Sequence, residues 1–314
     1  MASPDLHRFL FDGVPVRGAL VRIAAGWREA LERRAAVGAF PPPVRALLGE
    51  MTAAGVLMQS SIKFDGALVL QVHGDGPVKL AVAEVRSDLS FRATAQVTGP
   101  IAPDAGLAAL VNVAGGGRCA ITLDAADRPP GSLPYQGVVP LYGDRREPLA
   151  ALSEVLEHYM LQSEQLDTRL VLAADDQVAA GLLLQRMPQA DGADEMPIGG
   201  NENFNRIATL GASLTRDELL GLDADTLLRR LFWDEQLTRF APRATRFACS
   251  CSRERVRRML TGLGREEIES IIAERGEVEV GCDFCGLMYR YDAVDVADMF
   301  TPARDRPAAP PGLQ

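Results

Sequence analysis

The chain has 314 residues, 47% of them apolar, enough to bury one substantial core and to carry a smaller appended unit. Its 33 basic and 42 acidic residues leave a formal charge of -9, which disfavours phosphate backbones and anionic lipid surfaces, so neither nucleic acid nor membrane is expected as a partner. The first twelve residues lack an export signal's apolar core, and the charge-free stretch 129–143 holds Pro129, Pro130, Pro134 and Pro140 where a membrane helix needs ~20 mostly apolar residues. A soluble, cytoplasmic protein is expected.

In chain order, Leu20, Ile23, Trp27 and Leu31 recur three or four apart, and the spacing predicts an amphipathic helix over residues 18–34. A second helix follows the Pro41-Pro42-Pro43 breaker, through Val44, Leu47, Leu48, Met51, Val56 and Leu57. Residues 67–72, 78–85 and 91–97 are β-favouring runs separated by turn-forming residues and read as an antiparallel meander. Further strands are expected at 108–113 and 119–123, a helix at 149–162, and closing strands at 168–173 and 178–185. From 187 to 244 come a Gly- and Pro-containing loop and short helical pieces at 216–222 and 225–232. Helices of this length are marginal in water without a surface to dock on, so this stretch is expected to be a linker held by tertiary contacts. The last 14 residues hold four prolines and little apolar surface and are expected to be disordered.

Four of the five cysteines fall within 37 residues, as Cys249-x-Cys251, a 30-residue gap, and Cys282-x-x-Cys285. An odd total without an export signal argues against a secreted disulfide framework and for metal or redox chemistry. Four thiolates suit tetrahedral zinc, and a Cys-x-x-Cys-Gly turn between strands at 278–280 and 287–291 forms a knuckle presenting two sulfurs on one side. The Cys-x-Cys pair and the long gap depart from the common zinc ribbon. Two roles remain open on the residues alone. A structural zinc would simply hold the module together. Alternatively, a module of about 50 residues with modest apolar content depends on metal for its folding, and each pair is close enough in sequence to form a disulfide, so oxidation would remove all four ligands. Arg246, Arg253 and Arg255 flank the first pair, either lowering its thiol pKa or standing as ordinary solvated charges. Residues 246–300 carry 8 basic and 11 acidic groups, which disfavours a DNA-reading finger.

Elsewhere no catalytic constellation emerges. Cys119 lies in an alternating apolar run and reads as a small core residue. The turns at 74–77 and 115–117 lack any Walker or dinucleotide spacing, and His7, His73 and His158 form no metalloprotease or hydrolase motif.

Several segments together resemble the heat-shock protein 33 family of bacterial redox-regulated holdase chaperones: Leu6-His7-Arg8-Phe9-Leu10-Phe11, Val16-Arg17-Gly18, Lys63-Phe64-Asp65-Gly66, Gly74-Asp75-Gly76-Pro77, Tyr135-Gln136-Gly137-Val138-Val139 and Ser163-Glu164-Gln165-Leu166. The most specific is Phe247-Ala248-Cys249-Ser250-Cys251-Ser252-Arg253-Glu254-Arg255 with Cys282-Asp283-Phe284-Cys285-Gly286. The resemblance covers residues 5 to about 300; the tail after Phe300 has no counterpart in it. It implies a non-enzymatic, ATP-independent chaperone for unfolding client proteins. The reduced form is inactive, with one Zn2+ on Cys249, Cys251, Cys282 and Cys285. Oxidation joins Cys249 to Cys251 and Cys282 to Cys285, releases zinc, unfolds module and linker, and yields an active homodimer. The alternative is a zinc-ribbon regulatory or binding protein with a purely structural zinc. The expected fold is α+β: a core domain of antiparallel strands packed with helices (1–187), a helical linker (188–245), a small C-terminal zinc-binding redox-switch module (246–300) and a disordered tail (301–314).

Overall fold

The computed structural model describes residues 5–129, 131–188 and 200–301. The fold is α+β, and the chain separates into two compact units, Met1–Ala248 and Cys249–Gln314. The expectation of a disordered tail lies, apart from Thr301, outside the described residues.

The first unit opens with β1 (Leu6–Phe11), β2 (Val16–Ile23), α1 (Ala25–Ala35) and α2 (Pro42–Ser61). It continues through β3 (Gly66–His73), β4 (Val78–Arg86), β5 (Ser90–Val97), α3 (Leu107–Val111), β6 (Arg118–Ala125), β7 (Tyr135–Pro140), α4 (Leu152–Glu164), β8 (Thr168–Ala174) and β9 (Ala179–Arg186). After residues 187–201 come α5 (Glu202–Ala212), α6 (Arg216–Gly221), α7 (Ala224–Leu231), β10 (Leu237–Arg239) and β11 (Arg246–Phe247).

Two sheets form, ordered β10-β1-β2-β9-β8 and β11-β5-β4-β3-β6-β7; their pairs are antiparallel except β11 with β5. α2 packs against strands of both sheets, which is why it is buried on almost every side. Pro42 occupies its first turn, where the missing N–H costs nothing. Its glycines permit the close approach: a Cβ on Gly49 would stand 2.4 Å from Ala174 Cβ, and one on Gly55 2.8 Å from Val85 Cγ2. No helix among the described residues is long and apolar enough to cross a membrane.

The structure corrects two elements read from the sequence. Residues 18–34 are not one helix: Leu20 and Ile23 belong to β2 and Trp27 to α1. β2 is sandwiched between β1 and β9 and mostly buried, so its apolar residues simulate a helical spacing, and strand pairing overrides it. Residues 108–113 are not a strand, because Leu107–Val111 coil into α3. A short apolar run is ambiguous between the two states, and here Asn112 ends the helix by donating to Leu141 O at 3.1 Å and accepting from Gly117 N at 2.9 Å. The charge-free, Pro-containing stretch supplies the edge strand β7, with Pro140 at its end, where a missing N–H is tolerated.

The short helices α5–α7 each bury one face on the first sheet. Phe204, Ile207, Leu219, Leu227, Leu231 and Phe232 join Phe9, Phe11, Val16, Leu20, Leu182 and Leu184 in one cluster. Phe232 meets Phe11 edge-on with centroids 5.0 Å apart. Local capping starts each helix: Asn201 accepts from Phe204 N, Thr215 and Glu218 form a capping box, and Asp223 accepts from Thr226 N. Arg22 pins α6 by donating to Leu219 O at 3.1 Å and Leu220 O at 2.5 Å.

Half-buried Glu50 of α2 is hemmed in by packing, and burial pushes its carboxyl from 4.5 up to about 7 against the lowering pull of Arg216 at the start of α6. A raised carboxyl contributes most to stability below its unfolded value, and that contribution is lost as pH rises through 7. Glu50→Gln is therefore expected to stabilise the first unit at pH 8, by at most roughly 3 kcal/mol, and to leave pH 4 nearly unchanged. Urea unfolding at both pH values checks this; an equal effect at the two contradicts it.

Candidate metal centre

The second unit is built from α8 (Arg253–Leu263), α9 (Arg265–Arg275), the hairpin of β12 (Val278–Gly281) and β13 (Met288–Tyr291), and α10 (Ala293–Met299). Its core is small: Leu260, Ile268, Val278, Tyr289, Tyr291, Val296 and Met299. Each end of the cysteine framework is fixed locally. Ser252 caps α8 by accepting from Arg255 N at 3.1 Å, which sets the exit of the Cys249–Cys251 segment. Tyr291 Oη donates to Arg253 O at 2.7 Å and ties that exit to β13. In the hairpin, Cys282 N donates to Leu287 O at 3.0 Å and Gly286 N to Cys282 O at 2.8 Å. Gly286 has φ +71°, a left-handed conformation that explains the glycine after Cys-x-x-Cys.

These two constraints bring all four predicted cysteines together. Their sulfurs lie within 4.8 Å of one another. The shortest contacts run between the pairs, Cys249 to Cys282 at 3.5 Å and Cys251 to Cys285 at 3.4 Å. A tetrahedral zinc with bonds of ~2.3 Å places its sulfurs about 3.8 Å apart, so the cluster has the size for one such ion. Cys285 is buried; the other three are half-buried. Burial first, and the three neighbouring sulfurs after it, push the Cys285 thiol up. Thiols crowded this way resist ionising together, and a divalent cation is what relieves them. The donor set therefore fits a metal ion that favours sulfur ligands, such as zinc.

Sequence reasoning did not single out Tyr289, which packs with Cys251; that thiol first, then burial, pushes the phenol up. A tyrosine in an alternating β strand looks like ordinary core, and only the packing identifies it. The flanking arginines act otherwise than as thiol partners. Arg246 pairs with Asp88, Arg253 with Asp295 at 2.7 Å, and Arg255 donates to Ser250 Oγ at 2.9 Å. Cys119 is fully buried in β6, and burial pushes its thiol up to about 12, as suits an inert core residue.

The Hsp33 protein family matches residues 5–292, nearly the whole chain including all four cysteines. This chain belongs to the Hsp33 family. A protein of Chromobacterium violaceum named 33 kDa chaperonin is 45% identical over 295 residues, spanning 94% of this chain and 93% of that one. One of the same name from Methylobacillus flagellatus is 42% identical over 301 residues, with 95% of each chain covered. In fold, the Hsp33 chain resembles the crystal structure of a 33 kDa chaperonin (heat shock protein 33 homolog) from Thermotoga maritima, with a TM-score of 0.74, 20% identity, and 95% of this chain and 98% of that one covered.

Proposed function

We propose that this Hsp33 chain is a redox-regulated, ATP-independent holdase with no enzymatic activity. When reduced, Cys249, Cys251, Cys282 and Cys285 hold one Zn2+, and the chain is inactive. A bound zinc supplies the cross-link and positive charge that keep a small, thinly packed unit folded. The observation that carries the reading is the four-sulfur cluster: the sulfurs of all four cysteines lie within 4.8 Å of one another, so their oxidation would remove every donor at once.

Oxidation by a peroxide takes two electrons from each pair. One thiolate attacks the O–O bond to give a sulfenic acid and hydroxide; its neighbour then displaces a second hydroxide and closes the S–S bond. Cys249 joins Cys251 and Cys282 joins Cys285, leaving no thiolate to bind metal. The module of residues 246–300 then unfolds, the linker of residues 188–245 loosens, and the apolar surface beneath α5–α7 meets unfolding client proteins. The burial of Phe9, Phe11, Leu182 and Leu184 under short helices supports this last step. The same reading has the oxidised chain as a homodimer in the cytoplasm, without nucleic-acid or membrane partners.

Peptide mapping of the peroxide-treated chain tests the pairing. Disulfides within each Cys pair, appearing together with suppression of client aggregation, are expected. Predominant Cys249–Cys282 and Cys251–Cys285 links in the active form, following the shortest contacts, would refute the pairing.

A further inference from the structure

A cavity of about 340 Å3 lies in the first unit among α2, α4 and strands of both sheets. Most of its wall is apolar, from Met58, Leu68, Ile121, Leu123, Met160 and Leu183. Two charged residues also line it, Arg17 and Glu164. Glu164 is held in place, accepting from Tyr159 Oη at 2.6 Å and Tyr135 Oη at 3.1 Å.

Arg17 is differently placed. Its Nε donates to Gln185 Oε1 at 3.0 Å, one terminal nitrogen donates to the same oxygen, and the other donates to Ser61 O at 2.7 Å. All these acceptors are neutral, and burial pushes the guanidinium's pKa down. A guanidinium has five N–H groups, so about two remain unused. A second hollow of about 240 Å3 shares Arg17, Ser61, Ile62 and Leu183 with the first, adds Arg8 and Lys63, and has no carboxylate in its lining. Among the described residues no carboxylate pairs with Arg8, Arg17 or Lys63, and Arg8 Nε is buried without a hydrogen-bond partner. Arg17 and Leu183 point away from the sheet face that α5–α7 cover, by the alternation of their strands with Val16, Leu20, Leu182 and Leu184.

An apolar chamber of ligand size with one under-compensated cation in its wall is complementary to a particular chemistry. We infer that this cavity binds a small anionic amphiphile, its carboxylate on the spare N–H groups of Arg17 and its alkyl body against Met58, Leu123 and Met160. Arg8 and Lys63 reinforce the positive potential on the far side of Arg17, and Glu164 repels an anionic group placed near it, which orients the ligand. The inference is independent of the redox switch and is tested on the reduced chain, where clients are not held.

Titration calorimetry of the full reduced, zinc-loaded chain with decanoate, decanol and decyltrimethylammonium is the experiment. Saturable decanoate binding, one per chain and at least tenfold tighter than decanol, with no binding of the cationic analogue, is expected. Arg17→Gln should weaken decanoate at least tenfold and leave decanol unchanged. Comparing acid with alcohol uses the unaltered chain, so the test stands even where the variant folds poorly. Equal affinity for acid and alcohol, absence of saturation, or full decanoate affinity in folded Arg17→Gln overturns the inference.

Discussion

Replacing Cys282 and Cys285 with serine is expected to abolish tight metal retention and unfold the second unit while the first stays folded. The donor set falls from four sulfurs to two, and the remaining core of Leu260, Ile268, Val278, Tyr289, Tyr291, Val296 and Met299 is too small to hold the unit by itself. Binding free energies of structural zinc sites are on the order of 10 kcal/mol, so the loss far exceeds what so few side chains offset. The ion pairs of this unit do not compensate. Arg253–Asp295 and Arg290–Glu279 are solvent-exposed, and such pairs contribute about 0–1 kcal/mol each. Limited proteolysis should therefore cut readily between residues 253 and 300 in the reduced variant and spare β1–β9, and client holding should no longer respond to peroxide. A variant that keeps one zinc per chain, resists cleavage and still switches shows that Cys282 and Cys285 are not ligands.

The second large effect concerns α7. Leu227 and Leu231 are 0% and 3% exposed and carry much of its apolar face against the first sheet. Each Leu→Ala change in such a site costs about 2–5 kcal/mol. α7 spans only eight residues, with little intrinsic stability, and its ion pairs Arg239–Asp225 and Arg230–Glu218 both reach solvent. Leu227→Ala with Leu231→Ala is thus expected to detach α7 in the reduced, zinc-loaded chain, seen as fast amide exchange over residues 224–231. Phe9, Phe11 and Leu20 are uncovered, and client aggregation should be suppressed without oxidant. Detachment with no gain in client holding contradicts the assignment of this surface to clients.

The cysteine site was legible because its information is local. Cys-x-x-Cys-Gly specifies a tight turn, Cys-x-Cys sets two sulfurs two residues apart, and four identical soft donors suit few other purposes. The meander β3–β5 and the helix α2 were legible for the same reason, their periods being unmixed and their breakers explicit. β1, β10 and β11 were not, because they are strands by virtue of partners far along the chain: Phe9 faces Gly18 on one side and Arg239 on the other, and Phe247 pairs with Phe91. The mistaken helix over 18–34 fails likewise, since a strand buried between two neighbours carries no alternation to distinguish it. Tyr289 escaped notice, and Arg17 stood out only as part of a family segment, because their significance lies in what surrounds them rather than in spacing.

The coupling of metal release to client holding in one event follows from these expectations. It is tested most directly by treating the reduced, zinc-loaded chain with peroxide at elevated temperature, following zinc with a chromophoric chelator and assaying the same samples for suppression of client aggregation. About one zinc per chain is expected to be released in step with suppression, and reductant with added zinc should reverse both. Zinc that stays bound while clients are held, or zinc that leaves without any gain in holding, contradicts it and returns the four cysteines to a purely structural role.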